Sequence, residues 1–308
     1  MSELPSMRIV WVCIFLLLFG SVGWAPNTGL VKPESSTVAS KPETIQPIRH
    51  DITSLRKPRV RAQATLVYKP STHEIIWESN GDKIWPIASI TKVMTALVFL
   101  EQGLDLSADV VISRHDIRRA STTYLRRGER VTLEALLNLA LVASDNVAAR
   151  ALARVSLWGT LGFVEQMNRK ALELGLSDTV FTDSSGLSRS NVSTAYDLSR
   201  LIVHATKYSE ITSIMRQPSY RFQTNRRRRT VRNTNRLLNG EFAIQAGKTG
   251  YIDASGYCLV VVVEVPESEP LAVVVLGARS SSGRFTEVRR LVNWVSTHGR
   301  SLIISGTT

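Results

Sequence analysis

Apolar residues recur at helical spacing over Ile87, Ile90, Val93, Met94 and Leu97, just after Pro86. Proline is tolerated where a helix starts, so this pattern predicts a helix that ends near Gly103. A stronger one is predicted over 132–141, with Thr132 as its cap, and others over 147–155, 161–174 and 194–206. Short apolar runs bounded by turn residues predict strands. They cover 62–68 and 74–77 around a turn at 69–73, 110–112, 220–224 and 230–231 around a basic loop, and 260–265 and 271–276. Phe285, Val288, Leu291, Val292 and Val295 share one face of a closing helix. Strands, many helices, then strands and a helix predict an α+β domain, with an antiparallel sheet built from both chain ends and a helical region inserted between them.

Composition adds context to that domain. The chain has 308 residues, is 44% hydrophobic and carries a formal charge of +12. A core of ordinary size is expected, and the basic excess favours polyanionic partners. Arg8, an apolar run over 9–19 and small residues at Gly20, Ser21, Gly23 and Ala25 read as a secretory signal. The run is shorter than the ~20 residues of a usual spanning helix, though an uncleaved N-terminal membrane anchor is the alternative. Either way the mature domain is expected to be exported to the periplasm. Residues 1–25 are expected to be the signal or anchor, 26–58 an extended linker rich in Pro, Ser, Thr and Lys, and 59–308 the folded domain. Of two cysteines, Cys13 leaves with a cleaved signal and Cys258 lies in an apolar run, so no disulfide is expected. The five histidines are scattered and no metal-ligand spacing appears, so no metal and no cofactor are expected.

Candidate chemistry centres on Ser89 and Lys92, three residues apart and therefore on one face of the first helix. A serine hydroxyl is a weak nucleophile without a base beside it. A lysine serves as that base when desolvation or a nearby cation strips its charge. Alone, this pairing is an ordinary helix with a capping serine and a surface lysine. Two further motifs change that reading: Ser144-Asp145-Asn146 after the strong helix, and Lys248-Thr249-Gly250 before the last apolar strands. The ordered trio S-x-x-K, S-D-N, K-T-G is shared by penicillin-binding proteins and class A β-lactamases.

With these motifs, the stretch Asp183-Ser184-Ser185-Gly186-Leu187 and Asn233-Thr234-Asn235, the sequence resembles the serine D-alanyl-D-alanine peptidases, low-molecular-mass penicillin-binding proteins of bacterial wall metabolism. The resemblance spans roughly 61–295 and implies the penicillin-recognising fold. It implies that Ser89 attacks a D-alanyl carbonyl, Lys92 is the base and Ser144 relays the proton to the leaving amine. Asn146 would hold the peptide backbone and the Lys92 ammonium. Lys248 and Thr249 would bind a substrate carboxylate, with the charge of Lys248 helping to keep Lys92 neutral. Gly250 would let the substrate backbone lie against the strand, and the N–H groups of Ser89 and Tyr251 would form an oxyanion hole. Lys92 is expected to face solvent in the groove. The implied partners are peptidoglycan peptide stems, with β-lactams as covalent inhibitors.

Family carboxypeptidases usually carry an extra β-rich domain and a C-terminal anchor. Here the chain stops soon after the closing helix, which looks like the endopeptidase branch that cuts D-alanyl–diaminopimelyl cross-links. D-alanyl-D-alanine carboxypeptidase and a catalytically idle β-lactam- or wall-binding module are the alternatives. Two decoys fail. Gly247-Lys248-Thr249 is no phosphate loop, because Phe242 stands where that motif needs glycine. Glu134-Ala135-Leu136-Leu137-Asn138 imitates the β-lactamase deacylating element but precedes S-D-N, where those enzymes have it afterwards. Residues 221–236 hold seven arginines and no acid, with Arg226 to Arg229 consecutive. They read either as a solvated loop or as a patch for an anionic wall polymer; nucleic acid is not expected without interleaved aromatics.

Overall fold

The computed structural model describes residues 47–49, 57–240, 242–265 and 269–304. The expected signal or anchor over 1–25, and most of the linker over 26–58, lie outside them.

The organising element is a six-stranded sheet. Its strands lie in the spatial order Ile48–Arg49, Glu74–Ser79, Ala64–Lys69, Leu271–Ala278, Gly256–Val263 and Ile244–Ile252. All pairings are antiparallel except that of Ile48–Arg49 with Glu74 and Ile75. The inserted helical region leaves the sheet after Glu74–Ser79 and returns at Ile244–Ile252. This is the α+β architecture that the apolar pattern predicts.

The central strands read as unbroken apolar runs because both faces of the sheet are covered. Val260, Val262, Ala272, Val274 and Leu276 point into the helical region. Leu259, Val261, Val263, Val273 and Val275 pack under the closing helix Ser281–Ile304, through Phe285, Val288, Leu291 and Val292. Cys258 is buried in the first of these layers, as its apolar surroundings predict.

Helix Lys92–Leu100 runs through the middle of the first layer and is buried from Lys92 to Phe99. Around it stand Leu133–Val142, Asn146–Val155, Gly159–Glu173 and Ala195–Ala205. Thr132, Asp145 and Thr194 cap three of these by accepting the N–H of Ala135, Ala148 and Asp197. A short helix, Ser209–Met215, was not expected from the sequence.

The arginine-rich stretch is not a free basic loop. It forms a hairpin of Ser219–Gln223 and Arg228–Arg232, so two of the four consecutive arginines lie in a strand. Arg227 turns inward. Its Nε and Nη2 hold both carboxylate oxygens of the buried Glu129, and Nη2 also donates to Tyr124 O at 2.7 Å. A buried pair is costly to break from one side, because the remaining charge is uncompensated. Arg227→Gln should therefore lower unfolding free energy by about 3–5 kcal/mol. Exposed Arg229→Gln should change it by less than ~0.5 kcal/mol. Urea unfolding of the two variants checks this; equal stabilities would mean the pair contributes nothing.

Candidate active site

Ser89 sits in a 3-10 turn, Ala88–Thr91, that runs directly into helix Lys92–Leu100. The turn is pinned in position. The N–H of Ile87 donates to Asn191 O at 3.0 Å, and Thr91 Oγ1 donates to Ala88 O at 2.7 Å. Ala88 has φ of 48°, a left-handed conformation that costs a residue bearing a Cβ of order 1–3 kcal/mol. Two glycines press against this turn. A Cβ on Gly186 would lie 2.0 Å from Ala88 O, and one on Gly250 would lie 2.7 Å from Ile87 O. Only glycine lets the 183–187 loop and the Lys248 strand approach the Ser89 backbone from either side.

Lys92 Nζ has three partners: Ser89 Oγ at 3.0 Å, Asn146 Oδ1 at 2.7 Å and Ser185 O at 2.5 Å. Contrary to expectation, Lys92 does not face solvent; it is 0% exposed, because the 183–187 loop closes over it. Burial pushes its ammonium from the ordinary 10.5 down to about 7. Asp183 and Asp145 act in the opposite direction and Arg150 adds to the fall. Desolvation, rather than the charge of Lys248, is thus the main reason that Lys92 loses its proton.

Ser144 and Asn146 come from the junction between helices Leu133–Val142 and Asn146–Val155. Ser144 has φ of 58°, which aims its hydroxyl across the groove to accept a bond from Lys248 Nζ at 2.9 Å. Asp145 works behind them: it caps the second helix and takes the N–H of Tyr124 at 2.6 Å. Asn146 Nδ2 donates to Ser121 O at 2.6 Å, which fixes the amide so that its oxygen faces Lys92.

Lys248, Thr249, Gly250 and Tyr251 lie on Ile244–Ile252, the edge strand of the sheet. Lys248 is also fully buried, and burial, then the charges of Lys92 and Arg284, hold its pKa well below the usual lysine range. Thr249 Oγ1 donates to Thr234 Oγ1 at 2.7 Å, which gives the Asn233-Thr234-Asn235 stretch its place. Tyr251 is 47% exposed and its ring stacks on Tyr257 at 4.3 Å. Ser89, Ser144, Asn146, Thr249, Gly250 and Tyr251 line one groove of about 470 Å³.

Three contributors have no role assigned from the sequence, although Asp183 and Ser185 belong to the stretch that carries the resemblance. Asp183 collects the N–H groups of Ser185 and Gly186, both at 2.6 Å, and that of Ser188 at 2.7 Å. Asn191 takes the N–H of Thr182 and donates to Thr91 Oγ1 at 2.9 Å, tying this loop to the Ser89 turn. The third is the carbonyl of Ser185, a backbone atom that no motif spells out.

Comparison with known proteins agrees with this geometry. A family profile described as D-alanyl-D-alanine carboxypeptidase matches residues 51–280. The chain is 31% identical over 299 residues to a D-alanyl-D-alanine endopeptidase of Escherichia coli (strain K12), covering 96% of this chain and 90% of that protein. It is 36% identical over 246 residues to a D-alanyl-D-alanine endopeptidase of Pseudomonas aeruginosa, covering 76% and 77%. The fold superposes on penicillin-binding protein D2 from Listeria monocytogenes in its cefotaxime-bound form with a TM-score of 0.70 and 29% identity, covering 78% of this chain and 98% of that one.

Proposed function

The chain belongs to the D-alanyl-D-alanine carboxypeptidase family of serine peptidases, and from that premise we propose that it is an acyl-transferring endopeptidase. It cuts D-alanyl–diaminopimelyl cross-links of peptidoglycan outside the cytoplasmic membrane, and β-lactams trap it covalently. The observation that carries the chemistry is the set of partners around Lys92. Asn146 Oδ1 and Ser185 O can only accept hydrogen bonds. A neutral amine has two N–H groups and one lone pair. With both N–H groups committed to these oxygens, the lone pair is directed at the third neighbour, the Ser89 hydroxyl.

The steps follow from that arrangement. Ser89 Oγ attacks the D-alanyl carbonyl carbon and its proton passes to Lys92 Nζ. The N–H groups of Ser89 and Tyr251 receive the developing oxyanion, a contribution of ~2.7–4 kcal/mol per donor. The C–N bond breaks as Ser144 gives its hydroxyl proton to the leaving amine, and the proton held on Lys92 restores the Ser144 hydroxyl, which leaves Lys92 neutral again. Lys248 and Thr249 hold the carboxylate on the leaving side. Water then attacks the ester; Lys92 takes its proton and passes it to Ser89 Oγ as the acyl–oxygen bond breaks, which frees the donor stem and restores the enzyme.

The endopeptidase preference is supported by the two relatives of that name, which match 90% and 77% of their own lengths. Carboxypeptidase action is the second reading, favoured by the description of the family profile. Rates on cross-linked dimeric muropeptide and on pentapeptide monomer separate them. The dimer should be split at least tenfold faster than D-alanine is released; the reverse order would make the protein a carboxypeptidase.

A further inference from the structure

Beyond Thr234 and Arg284, which line both spaces, the groove adjoins a second cavity of about 410 Å³. Three arginines line it, Arg232, Arg236 and Arg284, and no acidic residue does among the described residues. Other arginines of the fold have counterions, among them Arg227 in Glu129 and Arg154 in Asp116. These three have none among the described residues. Arg284 is only 8% exposed, and its Nη1 donates to Gly250 O at 3.0 Å, yet its Nε is buried without a partner. Burial lowers Arg284 to about 10; Cys258 and Tyr257 act against the fall, and the charge of Arg236 adds to it. Three cations around one recess, one of them buried with an unused donor, are the makings of an anion site.

We propose that this cavity is a subsite for a second carboxylate of the leaving peptide stem, and that it sets the preference for cross-links. The proposal rests on the endopeptidase reading above. Its position supplies the logic. The cavity begins at Thr234, whose hydroxyl touches Thr249 at 2.7 Å, so it extends the carboxylate-binding end of the groove. When D-alanine leaves, the leaving group carries one carboxylate, which Lys248 and Thr249 occupy. When a cross-link is cut, the leaving group is a whole stem. Past the diaminopimelyl carboxylate beside the cut, it bears a further one on its γ-linked glutamyl residue. Arg232 ends one hairpin strand and Arg236 opens the 3-10 turn Arg236–Asn239, so the basic stretch of the sequence delivers both to this recess.

The test replaces the two exposed arginines together, Arg232→Gln with Arg236→Gln, and leaves Arg284 alone. The probe is the free tripeptide L-alanyl-γ-D-glutamyl-diaminopimelate, read as a competitor that slows acylation by penicillin. Its inhibition constant should rise at least tenfold in the variant. The uninhibited acylation rate and the inhibition constant of free D-alanine should stay unchanged. Amidating the glutamyl α-carboxylate of the probe should weaken its binding to the wild type about as much, with no further loss in the variant. Equal inhibition constants for the tripeptide in both proteins would overturn the subsite, as would a loss shared by D-alanine. Because the readout is competition, it does not depend on turnover. A wild type that binds the stem through these arginines but fails to split dimer leaves the subsite standing and overturns the endopeptidase reading instead.

Discussion

Ser89→Ala should abolish the covalent penicillin adduct and reduce peptide cleavage by a factor on the order of 10⁴–10⁶, the range expected when a catalytic nucleophile is removed. The fold should survive. Ser89 is half-buried, and its hydroxyl has one neighbour, Lys92 Nζ, which keeps its two carbonyl partners when that hydroxyl is lost. One neutral hydrogen bond contributes only ~0.5–1.5 kcal/mol, so melting should shift by a few degrees at most. Intact-mass measurement after penicillin treatment reads the adduct directly. An adduct of full stoichiometry on the alanine variant would move the nucleophile elsewhere in the groove, with Ser144 next to be examined.

Lys92→Met should be equally inactive and should also change how stability depends on pH. The unfolded chain holds this lysine's proton up to its ordinary value of 10.5, whereas the folded protein gives it up near 7. Between these two values the unfolded state binds more protons, so rising pH favours the folded state. The wild type should therefore gain stability over Lys92→Met from pH 7 towards pH 10, at up to about 1.4 kcal/mol for each pH decade. Comparing the pair cancels the titrating groups that do not feel the charge of Lys92. Below pH 7 the difference should level off. Acylation by the wild type should climb through the same region near pH 7, as the amine becomes available. Melting curves of both proteins at several pH values decide the matter; a constant difference would mean that Lys92 stays charged in the folded protein.

Much of the molecule was legible in the chain because the signals are local. Thr132 before an apolar helix and the unbroken valines of 260–263 each announce their own element. The three motifs are equally compact, and each sits where a turn or strand must present it. What escaped depends on residues far apart. Glu129 and Arg227 are 98 positions apart, and nothing near either says that one will bury the other. The burial of Lys92 follows from a loop 93 positions downstream. The Asp183 stretch is visible in the chain, but the roles of Asp183 and Asn191 are not, because they bind mostly backbone groups, which have no side-chain pattern to read. The left-handed turns at Ala88 and Ser144 are imposed by surrounding contacts, since neither residue favours that conformation on its own.

The separations across the groove also bear on how the protein comes into being. Lys92 meets Asn146 across 54 positions and Ser185 across 93, while Lys248 meets Ser144 across 104. Contacts this distant in sequence close late, because the chain must first give up the entropy of long loops. The amine at the centre is made reactive by enclosure, and enclosure is complete only when the edge strand, the junction at Ser144 and the 183–187 loop have all docked. A nascent or partly assembled chain therefore carries an inert serine beside a charged lysine. Reactivity switches on with the last stage of assembly, so a fluorescent β-lactam counts finished molecules rather than total chains.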